Sequence, residues 1–338
     1  MGWNNWNAFH CDVNETLVLE TANRMVELGL RDLGYNLISI DDCWSIGRNS
    51  SGYLEVNPIK FPSGIPYIAD QLHSMGFTLG MYSSAGQDAD LWAGWSVDYL
   101  KYDNCFNQGQ SGTPQISFNR YNAISQALNK TGRPIKYAMC NWGNDDPYDW
   151  AYTIANSGRM SGNIYDSLQP TRRPIDSEYV VHFTMWAMNS SPLLIGTNVL
   201  TLSATNLAIY SNPAIIALNQ DTSAGAAVRK WRYFRAPPEL STTWDVYDLW
   251  ANRMSEAEAQ AIIDGNSTMS YNATATRYNA TTMSYADGMT NNATALYGTQ
   301  NDTLAPSGTF SADVARHSVG VYRLRAQASD SLRKRDEL

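Results

Sequence analysis

Along the first two-thirds of the chain, short apolar runs alternate with stretches in which apolar positions recur every three or four residues. Tyr35–Ile40 is a short apolar run closed by Asp41 and Asp42, and it predicts a buried strand. Phe77–Tyr82, Val97–Tyr102 and Ile135–Met139 read the same way, and Val97–Tyr102 runs into Asp103-Asn104. Helical periodicity lies between them, at Gly64–Met75 and at Asn119–Asn129. The second helix is stopped by Thr131-Gly132-Arg133-Pro134. Further on, the pattern predicts a strand at Ile154–Met160, a helix at Ser177–Met188, a short strand at Pro192–Ile195 and a helix beginning at Ser203–Tyr210.

Strand–helix alternation over this length predicts a parallel α/β fold. Polar and acidic residues follow the apolar strands repeatedly, and in a (β/α)8 barrel those positions form the active-site mouth. A doubly wound sheet is the alternative, but no glycine-rich phosphate loop follows the first strand. From about Asn219 the character changes. Trp231–Phe234, Trp244–Trp250 and Ser318–Leu324 read as strands, and the intervening chain is rich in Ser, Thr, Asn and Tyr. The expected division is a (β/α) barrel over 1–220, a small antiparallel β-sandwich over 221–325 and a polar tail over 326–338.

Composition narrows the function. The 338 residues suffice for one large and one smaller domain, and 43 % of them are hydrophobic. The 12 % aromatic content suits a carbohydrate-binding protein, although most such rings in any protein are core. The net charge is −8, and the only basic cluster of note is Arg333-Lys334-Arg335, so no nucleic-acid partner is expected. No run of about 18 apolar residues exists, and no membrane span is predicted. His10, His73, His182 and His317 are scattered and show no ligand spacing, so neither a metal nor an organic cofactor is expected.

Nine Asn-x-Ser/Thr triplets begin at Asn14, Asn49, Asn129, Asn189, Asn266, Asn272, Asn279, Asn292 and Asn301. Asn/Thr-rich sequence makes such triplets by chance, yet five between 266 and 303 point to a glycosylated surface and the secretory route, although no signal stretch precedes Met1. Asn189 lies in the apolar stretch Met185–Ile195 and is expected to be buried and unmodified. The final Arg335-Asp336-Glu337-Leu338 resembles the retrieval signal of the endoplasmic reticulum. Cys11, Cys43, Cys105 and Cys140 allow three pairings if all are bridged.

Several blocks carry a family resemblance. Gly2-Trp3-Asn4-Asn5-Trp6-Asn7 is similar to the Gly-Trp-Asn-Ser-Trp opening of melibiase-type glycosidases. Asp41-Asp42-Cys43-Trp44 and Lys101-Tyr102-Asp103-Asn104-Cys105 match their Asp-Asp-Cys-Trp and Lys-Tyr-Asp-Asn-Cys. Cys140-Asn141-Trp142-Gly143, Arg159-Met160-Ser161-Gly162, Met185-Trp186-Ala187-Met188 and Ser191-Pro192-Leu193-Leu194-Ile195-Gly196 follow in family order. The chain thus resembles fungal α-galactosidases of glycoside hydrolase family 27 from Gly2 to about Leu324.

The resemblance implies a retaining glycosidase acting on terminal non-reducing α-galactose in galactosyl oligosaccharides or polysaccharides. It assigns Asp103 as nucleophile. Lys101, two residues back on the same strand, would share its face and keep it ionised. Asp41 and Asp42 would bond the 4- and 6-hydroxyls of galactose. Trp6 would pack on the sugar face, and Arg159 would bond hydroxyls near the reacting centre. The large Trp142 fits a plain 2-hydroxyl. Taken alone, Asp41-Asp42 would read as a strand-end turn or helix cap.

The chain also departs from the family. Where relatives read Arg-x-x-x-Asp-Ile-x-Asp, this chain reads Arg159-Met160-Ser161-Gly162-Asn163-Ile164-Tyr165-Asp166. Asn163 therefore stands at the acid/base position, and an amide has no proton to donate to a leaving oxygen. Asp166 is a separate carboxylate in the family. After Gly86 the chain lacks a loop whose cysteine would pair with Cys105. Cys11–Cys43 remains the implied bridge, with Cys105 and Cys140 left over. Ser167–Asp176 stands in for a whole βα unit, and Pro238–Thr242 for several strands. About seven barrel strands are counted, which leaves two open edges. The leading expectation is an α-galactosidase impaired in proton transfer. The alternatives are a galactose-binding protein without catalysis and a non-functional truncated gene product.

Overall fold

The computed structural model describes residues 1–84, 88–162, 176–221, 242–266, 277–306 and 308–327. The chain divides into two compact units, residues 1–170 with 192–202, and residues 171–191 with 203–338.

The first unit is built on parallel strands. In chain order they are β1 (Gly2–Asn4), β2 (Leu37–Ser39), β5 (Thr78–Ser83), β6 (Tyr99–Asp103), β7 (Lys136–Cys140), β8 (Ser157–Gly158) and β9 (Leu194–Ile195). β3 (Ser45–Arg48) and β4 (Leu54–Val56) form a separate hairpin after the second barrel strand. The main sheet has the order β8-β7-β6-β5-β2-β1-β9. Each strand lies beside its predecessor and the last returns to the first, which is the winding of a (β/α) barrel. Among the described residues the sheet has seven strands, with β8 and β9 at its two edges. Among the described residues this matches the seven strands expected from the sequence.

Crossover helices explain the parallel pairing. α2 (Glu15–Glu27) joins β1 to β2 and follows the short α1 (Trp6–Phe9). Its N-cap is Asn14, whose side chain accepts from Leu17 N, and its apolar stripe is Val18, Ala22 and Met25. α3 (Gly64–Ser74) joins β2 to β5 through the hairpin, and α4 (Ala89–Gly94) joins β5 to β6. α5 (Pro114–Lys130) joins β6 to β7. It starts five residues before the expected Asn119, because Thr113 caps Ile116 N and Pro114 suits the first turn. The strand expected over Ile154–Met160 contracts to Ser157–Gly158.

Strand alternation sorts the side chains. Trp3, Ile38, Leu79, Met81, Leu100 and Tyr102 are buried towards the helices. The register places Asn4 beside Ser39, Ser39 beside Gly80, Tyr82 beside Lys101 and Asp103 beside Cys140 on the inner face. Gly80 must be small there, since a Cβ would lie 2.8 Å from Ser39 Oγ.

The second unit contains α6 (Asp176–Met188), α7 (Ala204–Tyr210), α8 (Pro213–Gln220), α9 (Glu256–Ile263) and α10 (Tyr285–Thr290). It also holds one antiparallel sheet, β11-β10-β12, from β10 (Trp244–Asp248), β11 (Thr299–Leu304) and β12 (Tyr322–Ala326). The small antiparallel unit expected from the sequence is this sheet. α9 opens with a reciprocal capping box between Ser255 and Glu258. The expected strand at Trp231–Phe234 lies outside the described residues. Asn189 corrects the sequence reading. It is exposed, because α6 ends at Met188 and the chain turns there, so the apolar stretch is not one buried element. No helix among the described residues is long and apolar enough to cross a membrane.

Candidate active site

The C-terminal ends of β1, β2, β6 and β7 bring the sequence candidates together. Asp41, 2 % exposed, follows β2. Its Oδ2 accepts from Lys101 Nζ at 2.7 Å and from Asn4 Nδ2 at 2.8 Å. Its backbone N donates to Asn5 Oδ1 at 2.7 Å. Lys101 Nζ also lies 3.5 Å from Asp103 Oδ2. One ammonium therefore bridges two buried carboxylates from different strands, 60 residues apart for the shorter contact.

Burial works against the charge of Lys101, but Asp41, followed by Cys140 and Asp103, outweighs it and raises the pKa above the usual lysine value. The Lys101 ammonium also lies 5.2 Å from the centre of the Tyr82 ring. The Tyr82 hydroxyl is held protonated far beyond the ordinary range, by burial first and then by the charges of Asp103 and Asp42.

Asp103 is buried at the end of β6. Its Oδ1 accepts from Asn104 N at 2.7 Å, which leaves Oδ2 facing Lys101. Cys140, its register partner, is buried, and burial pushes its thiol up to about 12, with Lys101 opposing and Asp103 adding. Cys105 Sγ lies 3.9 Å from Asp103 Oδ1, and burial followed by the Asp103 charge raises its pKa also. Both thiols are free.

Asp42 is half-buried beside this centre, and its Oδ1 accepts from Cys43 N at 2.7 Å. Cys11 and Cys43 form the disulfide that the family resemblance implies. Lys60 Nζ donates to the carbonyls of both cysteines, at 2.6 and 3.1 Å. Trp6, on α1, is half-buried, and its ring meets His10 edge-on at 5.3 Å between centroids. Its backbone N donates to Asn4 Oδ1 at 2.9 Å. Trp142 is 38 % exposed just beyond β7. The next residue, Gly143, has φ +82°, and a Cβ there would fall 2.3 Å from Met160 O. Only glycine lets the two strand ends pass so closely. Arg159 follows β8, and its Nη1 lies 3.9 Å from Cys140 Sγ. Asn163 and Asp166 lie outside the described residues.

Sequence reasoning missed the supporting amides. Asn4 and Asn5 stand inside a recognised block, but their partners are 37 and 36 residues away. Asn104 and Arg120 were missed as well.

The model of the family described as α-galactosidase A matches residues 1–172. α-Galactosidase 1 of Saccharomyces cerevisiae is 38 % identical over 441 positions, covering 96 % of this chain and 93 % of that protein. The chain belongs to the α-galactosidase family. Two solved structures of the S. cerevisiae α-galactosidase, one of them with raffinose, superpose with TM-scores of 0.89 at 37 % identity and cover 97 % of each chain. α-Galactosidase I of Mortierella vinacea gives 0.69 at 35 % identity, over 74 % of this chain and 89 % of that one. As an α-galactosidase homologue, the chain is a glycoside hydrolase by family, and its (β/α) barrel is the family's barrel. The 441 aligned positions exceed the 338 residues, so at least 103 positions of that relative have no counterpart here. The seven strands among the described residues agree with such internal loss. The three expected junctions, after Gly86, within 167–176 and at 238–242, fall in or against residues outside those described.

Proposed function

We propose that this chain is a retaining α-galactosidase that acts on terminal non-reducing α-galactose, as in melibiose, raffinose or galactomannan, and that proton transfer is its impaired step. The observation that carries the reading is Lys101 Nζ, 2.7 Å from Asp41 Oδ2 and 3.5 Å from Asp103 Oδ2. A sugar whose hydroxyls bond Asp41, Asp42 and Lys101 would present its anomeric carbon to Asp103.

The chemistry follows from the groups. Asp103 Oδ1 is occupied by the Asn104 N–H, so Oδ2 is the attacking oxygen. It bonds C1 as the bond from C1 to the leaving oxygen breaks, giving a galactosyl ester. Trp6 supports the apolar sugar face, and Trp142 and Arg159 line the side near the 2-hydroxyl. The departing oxygen then needs a proton, and water needs a base in the second step. An acid/base residue contributes about 10²–10⁴ in rate. Asn163 offers neither function, so sugar leaving groups depart slowly while weakly basic ones do not need the proton.

Glycosylation and secretion are part of the same proposal. Asn49, Asn129, Asn266, Asn292 and Asn301 are exposed, and Asn14 and Asn279 are half-buried. Asn272 and the terminal Arg335-Asp336-Glu337-Leu338 lie outside the described residues. Catalysis is assigned to 1–220, with 221–325 as the accompanying β unit.

The test is hydrolysis of 2,4-dinitrophenyl α-galactoside by the full chain and by Asp103→Asn. Turnover abolished by the substitution is expected. Turnover that survives it would remove Asp103 from its role.

A further inference from the structure

We propose that Arg120 is a positioning residue for the nucleophile, acting through Asn104. The inference rests on the reading of Asp103 as nucleophile.

Arg120 lies on the inner side of α5, fully sixteen residues from Asn104 in sequence, and is 9 % exposed. Its Nη2 donates to Asn104 Oδ1, and its Nη1 approaches the Asp103 carbonyl oxygen at 3.5 Å. Asn104, itself buried, donates its backbone N–H to Asp103 Oδ1 at 2.7 Å. The guanidinium carbon lies 4.3 Å from the centre of the Tyr121 ring. Among the described residues no carboxylate lies within 4 Å of this guanidinium.

A buried cation without a counter-ion is unfavourable, because the desolvation of its charge is not offset by an ion pair. Here its fork is spent on one amide oxygen and one main-chain carbonyl. Both acceptors belong to the two residues that set the direction of the Asp103 carboxylate. The Asp103 carbonyl that Nη1 approaches and the Asn104 N–H that bonds Oδ1 belong to one planar peptide, so without the guanidinium that peptide is free to tilt and its N–H to leave Oδ1. Asp103 would gain a second rotamer, with Oδ2 no longer directed at the sugar. Holding a reacting group in one geometry is worth large factors, and a displacement of about 1 Å costs about 10²-fold. Lys101 and Asp41 lie on the other side of Asp103, so the sugar-binding contacts do not pass through Arg120. Losing Arg120 should therefore slow attack without weakening binding.

A crevice of about 320 Å³ lined by Arg120, Tyr102, Asn119 and Ala123 leads to this side chain. Truncation to alanine would open it further, and a free guanidinium ion could enter.

The experiment uses the full chain and 5-fluoro-α-galactosyl fluoride. Asp103 Oδ2 bonds C1, the C1–F bond breaks and fluoride leaves, so no acid is needed. Adduct formation is followed by intact mass spectrometry, and galactose affinity by calorimetry. Arg120→Ala should label about 10–100-fold more slowly than the wild type, with galactose Kd changed less than about threefold. Guanidinium chloride at low, non-denaturing concentration should recover part of the rate, as Arg120→Lys should. Asn104→Ala breaks the relay from the other end and should reproduce the slow labelling, which keeps the test available if Arg120→Ala does not fold. Wild-type labelling rates in the folded variants would overturn the inference. So would a slowed rate with an equal loss of galactose affinity and no recovery by guanidinium. If the wild type takes no label, or Asp103→Asn is labelled as fast, the nucleophile assignment itself fails and this inference falls with it.

Discussion

Lys101 Nζ approaches Asp41 Oδ2 more closely, at 2.7 Å, than it approaches Asp103 Oδ2, at 3.5 Å. The ammonium is thus primarily the partner of the sugar-binding carboxylate and secondarily that of the nucleophile. Removing it leaves two buried acids facing each other without a cation, a situation that favours protonating one of them. Lys101→Met should weaken galactose binding by at least about 100-fold, in line with the loss of one partner of a buried charge pair. Lys101→Arg should retain part of it. Calorimetry with galactose measures both, and unchanged affinity in Lys101→Met would remove this residue from the binding site.

Restoring the acid should restore natural substrates selectively. Asn163→Asp is expected to raise turnover of melibiose and raffinose by about 10²–10⁴, with a much smaller effect on 2,4-dinitrophenyl α-galactoside. The ratio of the two gains is the readout. Equal gains on both substrates would show that residue 163 does not serve the leaving group.

The Cys11–Cys43 bridge closes a loop of 32 residues and fixes the chain next to Asp42. Replacing both cysteines by serine should cost about 3–4 kcal/mol of stability from loop entropy. It should also weaken galactose binding, because Cys43 N is the donor to Asp42 Oδ1. Thermal unfolding and calorimetry test the two effects separately. A double variant with wild-type Tm and affinity would contradict both.

Cys140 gives a pH dependence with a definite sign. Its folded-state pKa is raised to about 12 from 9.0, by burial first, against the opposing charge of Lys101. The protonated thiol is the form that the fold favours. Its contribution is therefore complete below pH 9 and is lost as pH rises towards about 12. Urea unfolding at several pH values should show that the wild type loses more stability between pH 9 and 11 than Cys140→Ala does. Parallel losses in the two proteins would indicate that the thiol is not in so dry a site.

How much of this was legible in the sequence depended on the range of the interaction. The strand ends carrying Asp41, Asp103 and Cys140 follow from short apolar runs closed by polar residues, and the structure has Asp103 and Cys140 on adjacent strands with Asp41 two strands away from Asp103. The helix Glu15–Glu27 is not among the predicted elements, although its Asn14 cap and its stripe of Val18, Ala22 and Met25 are both present in the sequence. The start of α5 was misread because periodicity begins at Asn119, whereas its true signal is the Thr113-Pro114 cap. Asn189 misled because an apolar window averages over a helix end and a turn. Arg120 could not be found at all. It stands in a helix of ordinary amphipathic pattern, and its meaning comes from a hydrogen bond to a different element.

The central claim is that Asp103 forms a galactosyl ester while position 163 supplies no acid or base. Turnover of 2,4-dinitrophenyl α-galactoside in the presence of azide tests it most directly, with the product configuration read by NMR. Dinitrophenolate leaves as Asp103 attacks, and azide then displaces Asp103 from the face that water would use. The account predicts faster turnover and α-galactosyl azide, the product of two inversions. Formation of β-galactosyl azide would mean a single direct displacement and would contradict the account.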